Sequence, residues 1–191
     1  MAICVDVSGS MGSPVTGHRG SATTSTTCSQ VASLIASSLT KVNPTAQFIA
    51  FETQVVKNFV FNPKDSIVTN AEKFSKLGGG GTDIASGLEA VNPGTDVVII
   101  VSDNESWFNS QGLGKSTKSV EAWRKIQKSN PNAKLILIDL TPNTTTQVPE
   151  SNNVLNIGGW SDAVFNLIDD FASGRMDKGH WVSEIENIKL D

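Results

Sequence analysis

Short apolar runs alternate with amphipathic stretches along most of the chain. Ile3 to Val7 is one such run, and Val97 to Val101 is continuously apolar. Leu135 to Ile138 and Val154 to Ile157 are two more. A strand buried on both faces has this pattern, which is typical of a parallel sheet under helices. Between the runs the period changes. Within Thr24 to Val42, the residues Val31, Leu34, Ile35, Leu39 and Val42 fall on one helical face, and Asn43-Pro44 ends the helix. Ser66 to Leu77 is helical and runs into four glycines, Gly78 to Gly81. Ile84, Leu88 and Val91 mark a short helix. Ser119 to Ser129 turns Val120, Trp123 and Ile126 inward. Ser161 is placed to cap a last helix whose Val164, Leu167, Ile168 and Phe171 share a face. Gln47 to Phe51 and Gln54 to Phe61 have the pattern of a hairpin turned at Glu52-Thr53.

This alternation predicts an α/β fold. The expected sheet is doubly wound, mostly parallel and six-stranded, with one antiparallel edge strand and helices on both faces. In such sheets ligands bind outside the carboxyl ends of the strands, at the topological switch point. The residues after Val5 and after Val101 are therefore the informative ones.

Composition narrows the class. The 191 residues are 38% hydrophobic and 18% charged, enough for one domain with a sizeable core. No apolar run approaches the length of a spanning helix, so no membrane association is expected. A net charge of −4 argues against a broad nucleic-acid grip, which needs clustered Lys and Arg. Cys4 and Cys28 sit at apolar positions and are expected to be buried reduced thiols. Met1 leads directly into the first apolar run. A cytoplasmic setting is expected from that, and the abrupt start suggests a fragment of a longer chain.

The chemistry falls at the strand ends. Asp6, Ser8 and Ser10 stand at alternate positions after the first strand. An extended turn brings alternate side chains to one side. One carboxylate with two hydroxyls is a hard-oxygen site, suited to Mg²⁺, Mn²⁺ or Ca²⁺ rather than zinc. With 11 Asp and 22 Ser in the chain, the spacing alone is a modest signal, and its position at a strand end sharpens it. Thr82 and Asp83 follow the glycine run at a helix start, where either can serve as an N-cap. Asp103 follows the most apolar strand, where an Asx turn is the plain alternative. Three oxygen clusters at one sheet edge favour a joint site.

Asp6-x-Ser8-x-Ser10, the Thr82 loop and Asp103 resemble the metal-ion-dependent adhesion site of von Willebrand factor type A domains. The resemblance implies that Asp6, Ser8, Ser10, Thr82 and Asp103 surround one divalent ion, Mg²⁺ with Mn²⁺ or Ca²⁺ as alternatives. It also implies that the ion accepts an Asp or Glu from a protein partner. Asp83, Glu105, Trp107 and His18 are the expected partner contacts around it; Trp107 fits packing against its own loop equally well, and for His18 a solvated loop position is the plainer role. Three longer stretches, Gly80 to Ala90, Thr95 to Trp107 and Gly158 to Gly174, resemble the type A half of the Ro ribonucleoprotein family. The tail from Gly179 to Asp191 fits a bacterial-type member. Proteins of that family pair a helical-repeat ring, which binds RNA, with a type A domain. The ring is absent from this sequence, so RNA binding is expected only through that missing part. Residues 1–174 are then the type A domain. Residues 175–191 are a tail or short helix packing on it, with Trp181, Ile185 and Ile188 either covering a bare edge or docking on the ring.

Other functions fit less well. A phosphatase of the haloacid dehalogenase type also places Asp after its first strand, but wants Asp-x-Asp; Ser8 removes its general acid. An extracellular adhesion module of the same fold lacks the support of a signal peptide or a disulfide. Gly112 to Thr117 imitates a phosphate loop but has Asn109 where the pattern needs glycine. His18 and His180 have no zinc-spaced partner. The expectation is a non-enzymatic, metal-dependent interaction module, its oligomeric state left open.

Overall fold

A computed structural model of the protein describes residues 1–17, 23–57, 59, 62, 64–103, 114–142 and 148–176, with 114–117 described as backbone only. Five strands alternate with helices: β1 (Ala2–Asp6), β2 (Gln47–Phe51), β3 (Val97–Ser102), β4 (Lys134–Asp139) and β5 (Val154–Gly158). The helices are α1 (Cys28–Val42), α2 (Ile67–Phe74), α3 (Ile84–Glu89), α4 (Gly114–Ser129) and α5 (Ala163–Ala172). The strand order is β2-β1-β3-β4-β5 and every pairing is parallel. The order in which strands are added reverses between β1 and β3, which defines the switch point.

Each strand feeds two cores, because alternate side chains face opposite ways. Ile3, Val5, Ile99, Val101, Ile136 and Ile138 pack with α1, α5 and Phe74 of α2. Ala2, Cys4, Val98, Ile100, Leu135 and Leu137 pack with α3 and α4. The continuous apolar runs are thus buried on both faces. Cys4 and Cys28 lie in different cores, and burial pushes the Cys4 thiol up to about 12. Among the described residues no helix is long and apolar enough to cross a membrane.

The helix ends follow from local chemistry. Thr27 Oγ1 accepts from Gln30 N at 3.2 Å and Gln30 Oε1 accepts from Thr27 N at 3.0 Å, a capping box that starts α1 later than Thr24. Its buried face is set by Val31, Ala32, Ile35, Ala36 and Leu39, with Ser29, Ser33 and Ser37 extending it. Leu34 and Val42, expected inward, are 38% and 74% exposed because these small residues widen the stripe on its other side. Ser161 is not the cap of α5: Asp162 holds that position, without a side-chain cap bond, and Leu167 lies at the exposed margin.

Among the described residues the expected hairpin does not form beyond a single bridge. After β2, Val55 makes an isolated antiparallel bridge to Phe51, and Val56 N donates to Ala50 O at 2.8 Å. The described part of Gln54 to Phe61 goes no further as a strand, so the described sheet has five strands and no antiparallel edge strand. The segment leaves the ladder to pack. Phe59 meets Phe48 and Phe74 edge-on, with ring centroids 5.9 and 5.2 Å away.

The contact of α3 with β2 is tight at Gly87, where a Cβ would lie 2.8 Å from the buried Phe51 ring. Alanine improves helix propensity by up to about 1 kcal/mol, but overpacking costs about 1–3 kcal/mol. Gly87→Ala is therefore expected to destabilise the domain, and Gly87→Val more so, as read by urea unfolding.

Candidate metal centre

The carboxyl ends of β1 and β3 lie side by side, in register through Val5 and Val101. Asp6 is the last residue of β1 and Asp103 the first beyond β3, and both are fully buried. Two buried carboxylates at the switch point need a reason, since burying charge is costly unless it is matched.

Hydroxyls join them. Ser102 Oγ donates to Asp6 Oδ2 at 2.7 Å, and Ser8 N donates to Asp6 Oδ1 at 2.8 Å. Ser8 Oγ and Ser10 Oγ are 3.1 Å apart, and Ser10 Oγ donates to Asp103 Oδ1 at 3.2 Å. The short 3₁₀ turn Gly9–Gly12 folds the chain back so that Ser8 and Ser10 face one point. Thr141 Oγ1 fixes the far side by donating to Asp103 O at 2.6 Å.

Electrostatics leave Asp6 in tension. Burial pushes its carboxyl up to about 6, against the hydrogen bonds of Ser102 and Ser8, which hold it down. The negative charge of Asp103 raises it further.

The glycine run packs directly on the Asp6–Ser10 turn. Gly9 N donates to Gly80 O at 2.8 Å, and Gly79 N to Val7 O at 3.2 Å. Gly78 has φ +94°, and a Cβ there would lie 1.6 Å from Val7 O. Thr82, 8% exposed, follows directly on this loop. Among the described residues it has no hydrogen bond to Asp6, Ser8, Ser10 or Asp103. Asp83 caps α3, its Oδ1 accepting from Ala85 N at 3.1 Å. His18, Glu105 and Trp107 lie outside the described residues.

Of the expected residues, Asp6, Ser8, Ser10 and Asp103 form one hydrogen-bonded chain, and Thr82 follows the glycine loop that is bonded to the turn carrying Ser8 and Ser10. Ser102, Thr141 and Glu52 were not singled out by sequence. Ser102 had a usable signal: it is a hydroxyl at the end of an apolar strand whose neighbour ends in Asp6. Among the described residues no three His, Cys, Asp or Glu side chains gather to hold a metal. Any ion here would rely on two carboxylates and neutral hydroxyls, a hard-oxygen set that fits Mg²⁺, Mn²⁺ or Ca²⁺.

A family model of the Ro60 vWA domain matches residues 1–172. The chain belongs to the Ro60 von Willebrand factor type A domain family. The crystal structure of the Deinococcus radiodurans Ro (RSR) protein is similar to this type A domain, with a TM-score of 0.63 and 23% identity. The match covers 92% of this chain and 34% of that one, so the type A domain spans about a third of that protein. That likeness concerns the fold. A search of curated proteins found no match.

Proposed function

We propose that Asp6, Ser8, Ser10, Thr82 and Asp103 hold one divalent cation, through which this domain of a Ro-like protein binds an Asp or Glu of a protein partner. The observation that carries the proposal is the pair of buried carboxylates linked by the Ser8 and Ser10 hydroxyls, with burial raising Asp6 to about 6. Mg²⁺ is the ion named by the family pattern, and Mn²⁺ or Ca²⁺ suits the same oxygens. When bound, the ion supplies a strong positive charge at an anion-accepting position. Asp6 and Asp103 supply the negative charge that retains it. Ser8, Ser10 and Thr82 add neutral donors, which leaves the ion attractive to a further carboxylate. The module works by binding rather than by turnover. RNA contact is assigned to the helical-repeat part of a Ro-like protein, and a cytoplasmic setting suits that role.

The test is calorimetric titration of Mg²⁺ and Mn²⁺ into metal-stripped protein beside Asp6→Ala. Saturable binding of one ion, lost in the variant, is the expected result. A peptide carrying Glu should then bind only with the metal present, and its Gln counterpart should not. Absence of cation binding in the unaltered protein would overturn the proposal.

A further inference from the structure

Glu52 is the first residue after β2, at the same sheet edge as the centre, and the sequence pattern gives it only a turn position. In the structure it grips the Thr82 loop on both sides of Thr82. Its Oε2 accepts from Gly80 N at 2.8 Å, two residues before Thr82. Its main-chain O accepts from Asp83 N at 2.8 Å, one residue after. Its own N donates to Gln54 O at 2.9 Å, which anchors the gripping residue.

The side-chain bond has a charged acceptor, and such bonds are about twice as strong as neutral ones. The approach is close: a Cβ on Gly80 would lie 2.6 Å from Glu52 Oε2. On its other side the loop is bonded to the Asp6–Ser10 turn, through Gly80 O and Gly9 N at 2.8 Å. Gly80 thus stands between Glu52 and the turn that presents Ser8 and Ser10. Four consecutive glycines have little conformational preference of their own. Something outside the run has to fix where Thr82 sits, and Glu52 bonds both flanks of that residue.

We propose that Glu52 is a positioning residue of the metal centre, fixing the Gly78–Gly81 loop so that Thr82 meets the ion; this rests on the cation reading above. It touches neither the ion nor the partner. Partners of metal ligands typically change metal affinity by about 10–100-fold when removed.

The test is Mg²⁺ calorimetry on the unaltered protein, Glu52→Ala, Glu52→Gln, Thr82→Ala and the Glu52→Ala/Thr82→Ala double variant, with amide exchange on the metal-free forms. Glu52→Ala should weaken Mg²⁺ about tenfold, and Glu52→Gln, which keeps an acceptor oxygen, should recover most of that. In the Thr82→Ala background the same change should cost less than about twofold, because a residue that acts through Thr82 has nothing left to position. Amides of Gly79 to Thr82 should exchange at least about tenfold faster in metal-free Glu52→Ala, with those of β1 and β3 unchanged. Equal Mg²⁺ losses in both backgrounds, or no loss in either, would overturn the role of Glu52 while leaving the cation site standing. If the unaltered protein binds no Mg²⁺, the cation reading fails and takes with it the assignment to a metal centre. The exchange data then show separately whether Glu52 orders the loop.

Discussion

Asp6→Asn is expected to stabilise the metal-free domain at pH 8 and to abolish its cation binding. Burial raises the Asp6 carboxyl from 3.8 to about 6. Between those values the folded state binds more protons than the unfolded state, so stability falls as pH rises from about 4 through about 6, then levels off. A rise from 3.8 to about 6 corresponds to about 3 kcal/mol at most. Asparagine removes the buried charge. Its carbonyl oxygen can still accept from Ser8 N, and its NH₂ can donate to Ser102 Oγ once that hydroxyl turns. Allowing for imperfect bonds, the net gain should be about 1–2 kcal/mol at pH 8 in EDTA and close to zero at pH 4. In Mg²⁺ the order should reverse. The unaltered protein gains about 2.7 kcal/mol at a hundredfold excess over its dissociation constant, and the variant gains nothing. Urea unfolding at both pH values, with EDTA and with Mg²⁺, checks all four corners. A variant less stable than the parent in EDTA at pH 8 would show that the Asp6 charge is already compensated without a metal.

Gly78→Ala should be among the most damaging single substitutions in the domain. At φ +94° a non-glycine residue is strained by about 1–3 kcal/mol, and the new Cβ would lie 1.6 Å from a main-chain oxygen, Val7 O. Main chain cannot swing aside as a flexible side chain can, so the loop or the Asp6–Ser10 turn must move. A loss of about 4 kcal/mol is expected, together with weakened metal binding. Gly79→Ala is the control. Its φ is +136°, but nothing lies within 4 Å of its Cβ position, so only the strain of about 1–3 kcal/mol applies. Thermal and urea unfolding of the pair would separate backbone strain from collision. Equal losses would show that the loop yields freely at Val7.

The strands were legible because burial on both faces leaves a run without alternation, as in Val97 to Val101. The Asp6, Ser8, Ser10 and Asp103 cluster was legible because its side chains sit directly at strand ends, where the strand order reverses. Other features were hidden by the same kind of local reasoning. Gln54 to Phe61 alternates well enough for a strand, yet Phe59 is drawn into a ring cluster with Phe48 and Phe74, which lie outside any local window. Glu52 has the character of a turn residue until β2 is placed beside the glycine loop 28 residues away. Helical spacing of the apolar residues alone puts Leu34 inward, whereas the buried face of α1 also takes in Ser29, Ser33 and Ser37. Asp83 had two possible roles, capping and partner contact, and the geometry displays the first.

The bonds that assemble the centre span long stretches of chain. Ser10 and Asp103 are 93 residues apart, and Asp6 and Ser102 are 96 apart. Their order of closure has a kinetic meaning. Loops of that length close late relative to local helices, because their entropy must be lost before any contact rewards them. The proposed ion, needing β1, β3 and the glycine loop together, would find no site in a half-assembled chain. It would therefore act as a latch on a finished domain, holding back the opening rate while leaving the speed of assembly to the sheet itself.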